Sequence, residues 1–149
     1  MKTPSLQEQN MIEHCFGCGT KNTHGLHIET HWQGEETVSV WQPKPYYSSG
    51  NTEIMYGGII ASLIDCHSIN TAISNAYKLE NRQPGTEPLV NYVTAQLNVS
   101  YHKPVPINKT LTVKAKVLSS EGRKTWVEST ITCDDQICAK GKVLAIRVD

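Results

Sequence analysis

Apolar and polar residues change their spacing twice along this chain, and each change marks a change of backbone. Residues 1–24 are polar and broken by glycine, so they read as a short helix or coil followed by turns. A strand fits residues 26–32. A second fits residues 36–41, where Val38 and Val40 alternate with Thr37 and Ser39. Residues 43–52 hold two prolines, Gly50 and two serines, and predict a loop.

From Gly57 the period lengthens. Ile59, Ile60, Leu63, Ile64, Ile69, Ala72, Ile73 and Ala76 put apolar side chains on several faces of one helix reaching about Leu79. A helix that is apolar nearly all round is usually enclosed by the rest of its domain. It ends before the polar residues 80–87. Beyond it the period falls to two. Residues 89–101 predict a long strand with a bend. Leu111, Val113, Ala115 and Val117 alternate with Thr112, Lys114 and Lys116, whose lysines mark a wet face. Val127, Ser129 and Ile131 alternate with Glu128, Thr130 and Thr132, and a last strand covers residues 137–148. Pro104-Val105-Pro106, Glu121-Gly122-Arg123 and Asp134-Asp135 supply the turns. Two strands, one long helix and about four further strands predict an antiparallel α+β domain, with the sheet curled around the helix.

Composition narrows this picture. At 149 residues the chain fits one domain with one core. Lys plus Arg and Asp plus Glu are both 14, so no bulk charge draws it to nucleic acid. The first ten residues lack an apolar core, so no signal peptide is expected, and no apolar run is long enough to span a bilayer. Five scattered cysteines read as free thiols, and the expectation is a cytoplasmic protein.

The long helix carries the candidate chemistry. Asp65 sits mid-helix between Ile64 and Cys66, where an unpaired buried carboxylate costs several kcal/mol or shifts its pKa. At 100° per residue, Gly58, Ala61, Ser62, Ser68, Ile69, Ala72 and Ala76 fall within about 60° of its direction. Most are small, so a substrate or a second chain can approach closely, although tight packing on the sheet explains the same stripe. At the helix start, Tyr56-Gly57-Gly58 leaves open the first N–H groups, which have no internal partner. Such groups can donate to an oxygen gaining negative charge, while a carboxylate attacks or deprotonates water. Gly57 and Asp65 are about 12 Å apart along the axis, too far to act on one carbonyl from one helix. Two antiparallel copies across a two-fold axis can supply both, which predicts a homodimer with composite sites.

These residues resemble a known family. Tyr56-Gly-Gly-Ile-Ile-Ala-Ser-Leu-Ile-Asp65 is similar to the His-Gly-Gly-x6-Asp signature of hotdog acyl-CoA thioesterases of the phenylacetate-pathway type. The likeness extends to Cys15-Phe-Gly-Cys-Gly19, Gly25-Leu26 and Leu97-Asn98-Val99-Ser100-Tyr101 with Pro104, and so covers residues 15–148. It implies a hotdog fold over residues 1–149, with residues 1–24 as a polar extension packed on the domain. It also implies hydrolysis of an acyl- or aryl-CoA thioester, with Gly57 N–H polarising the carbonyl and Asp65 as nucleophile or general base. Thr94 would help hold the attacking water, and Asn51 would lie near the leaving thiolate. Tyr56, Gly58 and Ser62 complete the helix end that meets substrate. Tyr56 stands where the family has histidine.

Other constellations compete. Cys15-x2-Cys18 with His24 and His27 has the look of a Cys2His2 metal site, against a structural turn with two buried thiols. Cys66 and His67 adjoin Asp65, but adjacent helix positions diverge by about 100°, so His67 reads as a packed core histidine. Arg123 and Lys124, with Lys103 and Lys109, can grip CoA phosphates or remain solvated turn charges. The expectation is an enzyme with an acyl-CoA substrate, no metal, no organic cofactor, no nucleic-acid or membrane partner, and a dimer or dimer of dimers. A hotdog dehydratase and a non-catalytic acyl-CoA sensor are the rivals.

Overall fold

The computed structural model describes residues 2–149, and its elements run α1 (Leu6–Gln9), β1 (His31–Gln33), β2 (Glu36–Trp41), α2 (Gly57–Leu79), β3 (Tyr92–Tyr101), β4 (Leu111–Glu121), β5 (Lys124–Cys133) and β6 (Gln136–Arg147), with a 3-10 turn at Pro45–Tyr47. The strands form one antiparallel sheet in the order β1-β2-β4-β5-β6-β3. The sheet curls around α2, which is the hotdog arrangement that the periodicity and the family resemblance implied.

Two apolar clusters meet on the helix. Ile60, Leu63 and Ile64 pack with Leu111, Val113, Ile131 and Val143, while Ala72, Ile73, Ala76 and Tyr77 pack with Tyr92, Ala115, Val127 and Ala145. The sheet comes very close at Gly141, where an added Cβ would strike the Ile64 side chain. The outer face stays wet: Lys114, Lys116, Glu128, Lys140 and Lys142 are exposed, and Lys142 lies over the Trp126 ring.

The alternating pattern located the strands well after the helix and less well before it. The bend expected in β3 is a bulge between Thr94 and Gln96, which leaves Ala95 without a partner on β6. The strand expected over residues 26–32 shrinks to His31–Gln33. Leu26 and Ile28 are buried as expected, but their N–H groups bond to the carbonyls of Phe16 and Gly17 in the N-terminal loop, and His27 has φ 54°. The backbone there is tied to the loop, leaving nothing for a ladder.

The small-residue stripe divides in two. Ser68, Ala72 and Ala76 are buried against the sheet, and Ser68 bonds Ser129 of β5 at 2.6 Å. Packing therefore explains that half. Gly58, Ala61, Ser62 and Asp65 remain partly or fully exposed.

One flank of α2 is sealed by polar groups rather than apolar ones. Ser5 caps α1 through a reciprocal bond with Glu8, holding Gln7 against the sheet end of the helix. Gln7 Nε2 donates to Thr30 Oγ1 at 2.9 Å, and Thr30 Oγ1 lies 3.2 Å from His67 Nδ1. His67 Nε2 lies 3.0 Å from Thr37 Oγ1, which is 2.7 Å from Thr71 Oγ1, and Thr71 donates to the His67 carbonyl. A neutral His67 with its proton on Nε2 satisfies every member in one direction. Burial pushes the His67 pKa down to about 4 from its ordinary 6.5, because the charged form loses its water.

The sign of the resulting pH dependence follows. The unfolded chain binds this proton below pH 6.5, the folded chain only near pH 4, so stability falls as the pH drops through that window. The expected loss is about 3 kcal/mol from His67 alone. Chemical denaturation at pH 7 and pH 4.5 should show a smaller loss in His67→Gln than in the wild type. Equal losses would mean that His67 is not held neutral.

Candidate functional site

Three of the sequence-predicted site residues, Tyr56, Gly57 and Gly58, stand at the start of α2. Tyr56 is the N-cap, with extended backbone and no side-chain capping bond. Ile59 and Ile60 return their N–H groups to the Tyr56 carbonyl, whereas those of Gly57 and Gly58 precede the first intrahelical bond. Tyr101, at the end of β3, donates its hydroxyl to the Gly57 carbonyl at 2.7 Å. A cleft of about 280 Å³ opens beside it, lined by Met55, Gly57, Ile60, Tyr101, His102 and Lys103 among others. A Cβ at Gly58 would meet only the Tyr56 ring, which lies across the helix end and is 57% exposed. Ser62 donates to the Gly58 carbonyl at 2.9 Å and so belongs to this first stretch of helix.

Asp65 stands farther along the same helix. Thr94 donates its hydroxyl to Asp65 Oδ1 at 2.5 Å, two residues along β3 from Tyr92, which packs on the same helix. One carboxylate oxygen is thereby held and the other is left for a ligand. Asp65 is partly exposed rather than buried, because β3 covers it from one side only. A second cleft, about 320 Å³, is lined by Asp65, Ile69, Ile73, Tyr92, Val93 and Thr94, together with cysteines of the N-terminal loop and α2. Gly57 lines the first of these clefts and Asp65 the second.

Those cysteines are the feature the sequence placed least well. Cys18 is buried, but Cys15 is exposed, so the expected turn with two buried thiols is half right. The metal reading based on His24 and His27 fails on geometry: the sulfurs of Cys15, Cys18 and Cys66 lie within 4.8 Å of one another, and neither histidine joins them. Thiol hydrogens from Cys18 and Cys66, with the N–H groups of Cys18 and Gly17, hold the Cys15 thiol far below its ordinary range. Donation to Cys15 pushes Cys18 up to about 12, and it pushes Cys66 up as well.

The remaining expected residues lie elsewhere. Asn51 sits in an exposed turn with its Oδ1 accepting from Glu53 N–H. Arg123 and Lys124 stand in the β4–β5 turn, where Arg123 donates to the Arg147 carbonyl and Arg147 pairs with Glu80 beyond the helix end. That is about 22 Å along the axis from Asp65, so the turn does not meet the carboxylate of its own chain. Sequence reasoning gave no role to Tyr101 or His102, and it offered Lys103 as a phosphate contact or a solvated turn charge; all three line the first cleft. Tyr101 stands in the Leu97–Tyr101 segment that carried the resemblance, but only the fold shows that β3 delivers it to Gly57.

Comparisons with known proteins place these features in context. A family model described as the thioesterase superfamily matches residues 52–140, from the loop before α2 into β6. Acyl-coenzyme A thioesterase THEM4 of Mus musculus is 29% identical over 117 residues, covering 77% of this chain and 44% of that protein. The chain thus spans less than half the length of that curated relative. A thioesterase superfamily protein from Shewanella loihica is 30% identical, with a TM-score of 0.71 over 95% of this chain and 99% of that one. A Streptococcus mutans protein solved with acetyl-CoA bound is 17% identical, with a TM-score of 0.66 over 81% of this chain and 88% of that one, and shares the fold. Among the described residues no helix is long and apolar enough to cross a membrane.

The Tyr56 ring over Gly58 yields a stability test. In Gly58→Ala the exposed ring can swing outward, and the unfolded chain loses freedom, so stability should rise by about 0.5 kcal/mol. A thermal melt should move up by a degree or two. A lowered melt would mean that the ring is pinned where it lies.

Proposed function

This chain belongs to the thioesterase superfamily, and on that premise we propose that it hydrolyses an acyl- or aryl-CoA thioester to the free acid and CoA. The observation that carries the reading is the Thr94 hydroxyl donating to Asp65 on the uncovered face of α2. That bond orients one carboxylate oxygen and leaves the other free to take a proton from water. Asp65 acts as general base, and the resulting hydroxide adds to the thioester carbonyl. The carbonyl oxygen becomes an oxyanion, which the Gly57 N–H of the partner subunit stabilises. The carbon–sulfur bond then breaks, and the CoA thiolate takes back the proton held by Asp65. Water is consumed and atoms balance without a cofactor.

Distance supports a part for the partner subunit. Asp65 and Gly57 lie in different clefts of one chain, and an antiparallel pair of α2 helices would bring one of each together. The free edge of β3 supports that pairing. It is an edge strand of ten residues with Val93 50%, Leu97 38% and Tyr101 57% exposed, and a long apolar edge of this kind usually pairs with another chain. The Streptococcus mutans neighbour bound to acetyl-CoA and the THEM4 relative support an acyl-CoA substrate.

Free-thiol release from a panel of acyl- and aryl-CoAs tests the chemistry. Asp65→Asn should fall by 100-fold or more while the circular dichroism stays unchanged. No thioester turnover by the wild type would overturn the reading. Gly57→Pro tests the donor, because proline is well accommodated at the first helical position yet removes the N–H. It should lose about 100-fold in kcat.

Mixing the two inactive variants after partial denaturation should restore activity, because each mixed dimer carries one intact Asp65 facing one intact Gly57. A lack of restoration, with mixed dimers shown to form, would place the site within a single chain.

A further inference from the structure

We propose that Cys15, Cys18 and Cys66 form a thiolate site for a soft divalent cation of the zinc class, which clamps the N-terminal loop to helix α2 beside Asp65. The inference is independent of the thioester reaction and rests on the three thiols and what surrounds them. Their sulfurs lie within 4.8 Å of one another, and those of Cys15 and Cys66 are 3.6 Å apart. Two sulfurs bound to one tetrahedral zinc at about 2.3 Å each stand about 3.8 Å apart, so that pair already has ligand spacing.

The loop that carries two of the ligands is built for this approach. Cys15-Phe16-Gly17-Cys18-Gly19 turns tightly enough for Gly19 N–H to donate to the Cys15 carbonyl at 2.7 Å. A Cβ at Gly19 would stand 2.5 Å from the Cys15 nitrogen and 2.6 Å from two carbonyl oxygens, so only glycine closes the turn. Gly17 then passes so close to α2 that a Cβ on it would strike the Cys66 sulfur. Each glycine removes an obstacle to bringing the third thiol in.

Groups behind the sulfurs are also arranged. Asn70 is buried on the next turn of α2; its Nδ2 donates to the Cys18 sulfur at 3.3 Å and to the Cys66 carbonyl at 3.0 Å. Donation of this kind from a second layer orients and stabilises metal-bound thiolates. The Asn70 Oδ1 is buried with no partner among the described residues, which leaves an acceptor for a water on the metal. Three protein ligands leave one tetrahedral position open, and the thiols and Asp65 line the same cleft, from which water can enter. A disulfide would join only two of the three thiols, whereas one soft cation takes all three.

The test uses the full chain kept reduced, titrated with cobalt(II) or zinc(II) and then desalted. The expected result is one metal per chain and a thiolate-to-cobalt charge-transfer band. Both should be retained in Cys133→Ser and lost in Cys18→Ser and Cys66→Ser. A second measurement needs no variant. Zinc should slow alkylation of the exposed Cys15 at least tenfold, with the modified peptide identified by mass. A wild type that retains no metal, shows no charge-transfer band or gains no protection overturns the proposal. So does undiminished binding by Cys66→Ser.

Discussion

A helix has more circumference than one sheet can cover, and that shortfall shapes this protein. The strands that follow α2 wrap it from the sheet side, where Leu63, Ile64 and Ala72 are fully enclosed. Gln7, Thr30 and His67 close a second flank with hydrogen bonds. The strip left over carries Gly58, Ser62 and Asp65. Reactive groups are reachable here because the fold runs out of strands.

The long edge strand β3 bounds that strip and links its parts. Thr94 near its start holds Asp65, and Tyr101 at its end holds the carbonyl of Gly57. One strand therefore fixes both ends of the chemically useful stretch of α2, although the two clefts stay separate. The bulge between Thr94 and Gln96 shifts the alternation, so that Tyr92 and Thr94 before it and Val99 and Tyr101 after it all reach α2.

Much of this was legible in the sequence, for identifiable reasons. The helix bounds could be read because Gly57 opens a run without breakers and residues 80–87 end it. The later strands could be read because their inner residues alternate with lysine, glutamate and threonine. What escaped was set by contacts distant in sequence. Leu26 and Ile28 look like strand residues, but the N-terminal loop takes their backbone bonds. Cys66 gives no spacing signal with Cys15 and Cys18, since the fold alone brings residues so far apart together. Ser68 and Ala72 share Asp65's direction on a helical projection, yet the sheet covers them and not the acid. A projection carries angle without saying how far the sheet curls.

The buried hydroxyl chain around His67 has a further meaning. With the His67 proton on Nε2, each member donates one hydrogen bond to the next, from the Gln7 amide through Thr30, the imidazole, Thr37 and Thr71 to the carbonyl of His67. The chain's two ends are fixed, an amide that donates and a carbonyl that accepts. Sliding α1 by a single residue would put Leu6 or Glu8 where Gln7 stands, leaving Thr30 facing hydrocarbon or an uncompensated charge. The network thus acts as a key for docking the first thirty residues, rejecting near-miss arrangements whose apolar contacts alone would be nearly as good.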